Sequence, residues 1–201
     1  MKRKITVLVG LVLMMVGLLW YAAAAQESAL AAQAVQAVVP QLQQMITVLP
    51  ETEKEPDPVP EQKQMTERVV AGRGYVGVLE LPALSLKLPV LSSWSAENGK
   101  VAPCRYSGSV YQGDLIICAH NYSSHFGNLD RLETGDSVTF TDMDGNLYSY
   151  RVAQSQVLEG TDVDVIRDGD WDLTLFTCTP GGKNRYCLRC TRIEEASCQS
   201  G

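Results

Sequence analysis

The sequence predicts an all-β domain, a barrel or sandwich of about 120 residues, preceded by one transmembrane helix. Three observations support this. An uncharged apolar run follows a basic tip at the N-terminus. From about Gly74 onward, short alternating apolar runs are separated by turn residues, as in half-buried strands. Only FGNLDRL and TDVDVIRD have the character of short helical turns. The pattern therefore indicates many short strands and few helices.

Size and composition narrow the class of protein further. The chain has 201 residues, of which 45% are hydrophobic and 20% charged, so it is long enough for one ordinary globular domain and an extra segment. Its net charge is −6 and it has no long basic run, which argues against nucleic acid as a partner. No repeat of roughly 20–50 residues is present.

The N-terminal segment predicts a membrane anchor. Residues 2–4 are basic, residues 5–25 carry no charge, and the next basic residue is Lys54. An apolar run of about 20 residues spans a bilayer, and the positive-inside rule places the N-terminus in the cytoplasm and the remainder outside. Trp20 and Tyr21 lie where an interfacial belt is expected. A cleaved signal peptide ending at AAAAQ is the alternative, but the run is longer than a signal-peptide core.

The region after the anchor predicts a spacer. Ala and Gln dominate residues 26–49, which suggests a helical stalk with a break at Pro40. Residues 50–64 are Pro-rich and charged, as in an extended linker. The predicted organisation is a tip and anchor at 1–25, a stalk and linker at 26–73, a β-domain at 74–195 and a tail at 196–201.

Two residues at predicted strand ends suggest thiol chemistry. Cys178 ends the strand LTLFTC, and His120 ends the strand DLIICAH. A thiolate that attacks a carbonyl and an imidazolium that protonates the leaving amine are what acyl transfer by cysteine requires. A cysteine in a strand is more often a small buried hydrophobic residue, so Cys178 alone would be weak evidence. His125, the other histidine, lies within the loop and is the less favoured candidate.

An arginine on the following strand supplies positive charge. The short turn TPGGKN brings Arg185 back beside Cys178, where a guanidinium can donate to an oxyanion or to a substrate carbonyl. Arg189 is four residues further along the same strand, about 13 Å away. We expect it to be an exposed barrel arginine, and it becomes the alternative to Arg185 only if the strands pair in another register.

These residues together resemble the sortases, which are membrane-anchored cysteine transpeptidases of Gram-positive bacteria. The strand TLFTC at 174–178 matches the family's Thr-Leu-x-Thr-Cys signature. The segment LIICAHNYSSHFGNLDRL resembles the family's histidine strand and the short helix after it, and VGVLELPALSLKLPVL resembles its opening strands. The resemblance covers roughly residues 74–193. The HNY and CTPGG contexts resemble class D or class B members.

The resemblance implies a closed eight-stranded sortase-type β-barrel. It implies that Cys178 is the nucleophile, His120 the general acid, Arg185 the residue that binds the oxyanion or substrate carbonyl, and Thr177 part of the substrate groove. The implied reaction cleaves an LPxTG-like sorting signal through a thioester and transfers the acyl group to an amine, which anchors surface proteins to the cell wall. The implied partners are sorting-signal-bearing proteins and an amine acceptor such as a peptidoglycan precursor. No catalytic metal or cofactor is implied, although some class A members use calcium as an activator.

Other interpretations of the residues remain open at this point. Six cysteines outside the anchor permit a disulfide-bonded ectodomain, and the tail cysteine Cys198 is expected to be exposed. Cys187 and Cys190 have the spacing of a zinc site, but residues three apart in a strand face opposite sides. The DMDGN segment only partly matches a calcium loop, and a hairpin turn explains it better. A non-catalytic surface adhesion domain is the non-enzyme alternative.

Overall fold

A computed structural model of the chain describes residues 2–47, 63–160 and 164–193. Eight strands form a closed barrel in the order β2-β3-β4-β5-β8-β9-β7-β6, and pairing of β2 with β6 completes the ring. A ninth strand, β1, extends one side by pairing with β2. The expected all-β barrel is thus confirmed, with closure that leaves no free edge between β2 and β6.

The described elements follow one another with short connections. The helices are α1 (Lys2–Thr47), α2 (Ala96–Gly99) and α3 (Asp164–Arg167), and single 3-10 turns occur at Pro82–Leu84 and Leu129–Arg131. The strands are β1 (Arg68–Val70), β2 (Arg73–Leu81), β3 (Leu86–Leu91), β4 (Cys104–Ser107), β5 (Leu115–Cys118), β6 (Ser137–Asp142), β7 (Leu147–Glu159), β8 (Leu173–Cys178) and β9 (Asn184–Arg192).

Most of these strands coincide with the alternating apolar runs of the sequence. The Asp144-Gly145 turn joins β6 to β7, with Gly145 at φ 85°, as the hairpin interpretation predicts. Strands β1 and β4 and helix α2 were not expected, because each has at most four residues and too few alternations to establish a period.

Two apolar clusters lie on opposite faces of the sheet. Leu173 and Leu175 of β8 face the barrel interior, together with Leu188 and Cys190 of β9. Phe176 belongs to the outer cluster, with Cys187, Cys104 and Cys118. This alternation along β8 is the one that the period of two predicts. Cys178, two residues after Phe176, therefore shares the outer face.

Helix α1 differs from the predicted stalk. It continues from the apolar segment through Pro40 to Thr47, so the predicted break is wrong. Its second half packs against the barrel, where Ala31, Val35 and Leu42 are buried. Pro40 lies on the exposed side of the helix, where water can satisfy the carbonyl that loses its N–H partner. Packing of the apolar stripe thus outweighs the local preference for a break.

Several predicted segments fall outside the described residues. They are the linker at 48–62, the start of the TDVDVIRD segment at 161–163 and the tail from 194 onward, which includes Cys198. The helix α1 is long and apolar enough, by length and composition, to cross a membrane, with a hydropathy of 2.3 in its most apolar window. The domain boundaries at 26, 74 and 196 stay predictions.

Candidate active site

Cys178 is the last residue of β8, and the register of the neighbouring strand places Arg185 directly opposite it. The turn between them is held by hydrogen bonds from the Gly182 amide to the Thr179 carbonyl (2.8 Å) and from the Thr179 amide to the Asn184 carbonyl (3.0 Å). Gly181 and Gly182 have φ values of 85° and 74°, which side chains rarely adopt. The Pro-Gly-Gly sequence therefore fixes the position of Arg185 relative to the thiol.

His120 lies two residues after the end of the parallel strand β5, which stops at Cys118, so the strand is shorter than the LIICAH segment predicted. Cys118 pairs with Phe176, so a register continued by two residues sets His120 beside Cys178, about 4.8 Å from strand to strand. The ends are tied together, because the Ala119 amide donates to the Phe176 carbonyl at 3.2 Å. The two predicted residues thus lie at the same rim of the barrel.

Aromatic rings surround the imidazole of His120. The Trp94 ring lies edge-on, with its centroid 5.7 Å from that of His120, and the Tyr122 ring lies 5.2 Å away. Burial lowers the pKa of His120, the carboxylate of Glu27 opposes that shift, and the ammonium of Lys100 reinforces it. Neither Trp94 nor Tyr122 was expected at the site. Tyr122 comes two residues after His120, so its nearness in sequence could have indicated it as a site residue. Trp94 comes from a loop that is distant in sequence.

The other histidine has a different environment. His125 is fully buried, and its ring lies near the Val101 backbone, whose contact partly opposes the effect of burial on its pKa. Burial lowers its pKa to about 4, so it is neutral near pH 7 and a poor source of an imidazolium. The centroid of its ring lies 5.5 Å from that of the Tyr122 ring. This environment favours His120 over His125 as the general acid.

Arg185 is partly exposed, and its recorded hydrogen bonds leave part of the guanidinium available. Nη1 donates to the carbonyls of Gly182 (3.1 Å) and Asn184 (3.2 Å). Among the described residues, Nε and Nη2 of Arg185 make no recorded hydrogen bond, so they can donate to a substrate oxygen.

Thr177 points away from the Cys178 side of β8. Its hydroxyl donates to the Ala119 carbonyl at 2.9 Å, and the residue is 5% exposed. This bond joins the residue before Cys178 to the residue before His120. The expectation that Thr177 lines the substrate groove stays a prediction, since its observed contact is with β5.

The remaining described cysteines lack the features of a nucleophile. Cys104, Cys118, Cys187 and Cys190 are buried free thiols, whereas Cys178 is partly exposed. Burial raises the pKa of Cys104 and Cys190 to about 12 and that of Cys187 to about 11. Burial also raises the pKa of Cys118, with Cys104 and Cys178 adding to the effect. Thiols held protonated in this way are unreactive.

The zinc and calcium alternatives do not fit the described residues. Cys187 and Cys190 lie in the outer and inner clusters respectively, on opposite faces of β9. The carboxylate of Asp142 accepts hydrogen bonds from the hydroxyls of Tyr111 (3.2 Å) and Tyr148 (3.1 Å) and from the Asn146 amide (2.8 Å), so it caps the hairpin. No group of three or more metal-ligating side chains occurs within the described ranges.

Arg189 is not the exposed arginine that we expected. It is 2% exposed and lies opposite Thr174, so the register excludes it from the position beside Cys178. The alternation of β9 predicts the correct face for this side chain. The covering residues come from α3, whose position across the sheet could not be inferred from the sequence.

Helix α1 also reaches the histidine loop. The Tyr122 hydroxyl lies 3.4 Å from a carboxylate oxygen of Glu27. The Ser124 hydroxyl donates to the Ser28 carbonyl at 3.2 Å, and the hydroxyls of Ser28 and Ser123 lie 3.3 Å apart. The helix that follows the apolar segment therefore forms one side of the site, which the stalk interpretation did not predict.

Comparison with known proteins agrees with this geometry. Residues 79–193 match the family of sortase domains. Sortase A of Bacillus anthracis is 28% identical over 109 residues, and the match covers 51% of each chain, so this chain spans about half the length of that relative. Sortase A of Corynebacterium diphtheriae shares the fold with a TM-score of 0.56 at 21% identity, covering 63% of this chain and 64% of that one. Sortase C1 of Streptococcus agalactiae has a TM-score of 0.54 at 26% identity, covering 63% of this chain and 72% of that one.

These relatives bear class A and class C names, so assignment to class D or B stays a prediction. With a match over more than half of its length and a barrel of the same topology, the chain belongs to the sortase family.

Proposed function

We propose that this protein is a membrane-anchored cysteine transpeptidase that cleaves an LPxTG-like sorting signal and joins the acyl fragment to an amine. The observation that carries the proposal is the convergence of Cys178, His120 and Arg185 at one barrel rim through the β5–β8 and β8–β9 registers. Of the five described cysteines, only the one at this rim is not buried.

The chemistry proceeds in two acyl-transfer steps. The Cys178 thiolate attacks the Thr carbonyl carbon of the Thr–Gly bond in the signal, and the guanidinium of Arg185 donates to the resulting oxyanion. As the C–N bond breaks, the imidazolium of His120 protonates the leaving amine. A second amine then attacks the thioester, the C–S bond breaks, and the attacking amine loses a proton to His120. Water in place of that amine gives hydrolysis.

The proposed substrate comes from surface proteins that carry a sorting signal, and a peptidoglycan precursor is the proposed acceptor. The anchor at 5–25 holds the barrel outside the cell membrane, with the N-terminus in the cytoplasm. Membrane attachment brings the enzyme to substrates that are themselves at the membrane surface. No metal or cofactor takes part in the proposed steps.

The full-length protein in detergent tests the proposal with an internally quenched LPxTG peptide, with and without an amine such as triglycine. We expect cleavage, faster product formation with amine, and a thioester of Cys178 detected by mass spectrometry. Cys178→Ala abolishes all three, and Arg185→Ala lowers kcat/KM by about 100-fold, the scale of about 3 kcal/mol for one oxyanion donor. Full activity in Cys178→Ala would refute the thiol mechanism, whereas a wild type that neither cleaves the peptide nor forms a thioester would favour the non-catalytic adhesion domain.

A further inference from the structure

Two buried cysteines face each other across strands β4 and β5. In the antiparallel register Cys104 lies directly opposite Cys118, and both side chains belong to the outer apolar cluster. Both thiols are free in this structure, with exposed fractions of 0% and 4%. Directly opposite residues of an antiparallel pair have Cα atoms about 4.5–5.5 Å apart, and a disulfide joins Cα atoms about 4.4–6.8 Å apart. The backbone therefore already has the spacing that a disulfide between β4 and β5 needs.

The other described cysteines lie too far apart or face the other way. Cys187 pairs with Phe176, which in turn pairs with Cys118, so the Cα atoms of the two cysteines are two strand spacings, about 10 Å, apart. Cys178 lies one strand and two residues from both Cys118 and Cys187, about 8 Å from each. Cys190 belongs to the inner cluster, on the opposite face of the sheet. Cα atoms more than about 7 Å apart cannot be bridged without movement of the backbone.

Burial decides when such a bond can form. Burial raises the pKa of Cys104 to about 12, an effect that contact with the Ser95 backbone partly opposes. Burial also raises the pKa of Cys118, and the neighbouring Cys104 adds to the effect. Because only a thiolate exchanges with a disulfide, the folded domain holds both thiols unreactive, and the bond forms while the domain folds. The same burial then shields the bond from reductants.

We propose that Cys104 and Cys118 form a disulfide when the domain folds in the presence of a small-molecule disulfide such as oxidised glutathione. One cysteine thiolate attacks the S–S bond of glutathione, which gives a mixed disulfide and one reduced glutathione. The second cysteine thiolate then displaces the other glutathione, so the two cysteines are oxidised to a disulfide and the two glutathione thiols carry away both protons. The proposed topology places the barrel outside the cytoplasm, where disulfides persist.

The disulfide joins the two segments that carry the surroundings of His120. Cys118 comes two residues before His120, and Cys104 begins the strand that follows the loop of Trp94, whose ring lies edge-on to the imidazole. The bond closes a loop of about 15 residues, from 104 to 118. Restriction of the unfolded chain by a loop of that length raises Tm by roughly 10 °C in a domain of this size. The pair therefore holds the histidine strand against β4.

Mass spectrometry of unreduced peptides tests the pairing directly. Full-length protein with Cys198→Ser, in which the tail cysteine cannot compete, is reduced in detergent. It is then incubated with reduced and oxidised glutathione near its unfolding midpoint in urea, and remaining thiols are blocked with N-ethylmaleimide. Trypsin cleaves after Lys100, Arg105 and Arg131, which puts the two cysteines on separate peptides, 101–105 and 106–131. We expect these peptides to be joined by a disulfide in most molecules, and the peptides that contain Cys187 and Cys190 to be recovered blocked.

Melting and hydrogen exchange test what the bond does. We expect the oxidised protein to melt roughly 10 °C higher than the same protein in dithiothreitol, and its amides at 116–120 to exchange more slowly. Cys104→Ala melts at the same temperature with and without dithiothreitol, and Cys118→Ala takes its place if that variant does not fold. Cys187→Ala, which removes another buried thiol of the outer cluster, is the matched control and keeps the full response to dithiothreitol.

The possible results separate this inference from the proposed function. Recovery of peptides 101–105 and 106–131 only in blocked form would overturn the pairing, as would their linkage to a peptide that contains Cys178 or Cys187. Equal melting of oxidised and reduced protein, with the linked peptides present, would overturn the role of the bond in holding β5. None of these measurements uses catalysis, so a wild type that fails to cleave the LPxTG peptide removes the proposed function and leaves this inference standing.

Discussion

The hydrogen bond between the Thr177 hydroxyl and the Ala119 carbonyl is expected to contribute measurably to the stability of the domain. The substitution Thr177→Val keeps the volume of the side chain and removes the hydroxyl that donates to the Ala119 carbonyl at 2.9 Å. That carbonyl is then left without its recorded partner in a buried environment, at a cost of about 1–3 kcal/mol. For a domain of this size, about 2 kcal/mol corresponds to a fall in Tm of roughly 8 °C.

The same bond lies one residue before both His120 and Cys178, so its loss also affects activity. A shift of about 1 Å between reacting groups lowers the rate by up to about 100-fold. We therefore expect kcat/KM of Thr177→Val for the LPxTG peptide to fall by roughly 10–100-fold, and Thr177→Ser to recover most of it. Thr191→Val, at an exposed position of β9, is the matched control. Wild-type melting and kinetics in Thr177→Val would refute the view that this bond aligns the strand ends.

Three further predictions concern the surroundings of the site. Because the Glu27 carboxylate raises the pKa of His120, we expect Glu27→Gln to lower that pKa and to move the alkaline limb of the kcat/KM profile to lower pH. Glu133→Gln is the control. An alkaline limb that does not shift in Glu27→Gln would contradict the effect of Glu27 on His120. Burial lowers the pKa of His125 to about 4, below its unfolded value, so stability is lost as pH falls from about 6.5 towards 4. Urea titrations across this range should show a loss that is absent in His125→Phe. Leu42→Ala, at a position of 0% exposure, costs about 2–5 kcal/mol of the free energy that docks α1, and increased proteolysis after residue 30 in detergent is the expected result. Equal proteolysis of Leu42→Ala and wild type would show that the helix is not held by this side chain.

Much of the barrel and the centre of the site could be predicted because their signals are local. The alternation of Leu173 to Cys178 assigns each side chain to a face, and the two clusters confirm that assignment. The Pro-Gly-Gly turn is short enough to restrict the register, so Arg185 could be placed opposite Cys178. Strand ends and tight turns are encoded by a few adjacent residues, which is why these features could be predicted from the sequence.

Features that depend on contacts between distant segments could not be predicted from the sequence. The stripe formed by Ala31, Val35 and Leu42 has helical spacing, but the sequence does not say which surface covers it. The burial of Arg189 depends on α3, which is more than twenty residues away along the chain. Trp94 reaches His120 from the loop after β3 for the same reason. In each case a local pattern was visible and its tertiary partner was not.

The continuity of α1 has a consequence for how substrates are encountered. Glu27 is two residues beyond the apolar run, which is a rise of about 3 Å along a helix, and its carboxylate is at the histidine loop. Where the apolar run crosses a bilayer, the histidine loop therefore lies close to the lipid surface, and the packing of α1 against the barrel restrains the barrel relative to the membrane. Under the proposed function, encounter with a membrane-bound substrate then becomes a search in two dimensions by lateral diffusion.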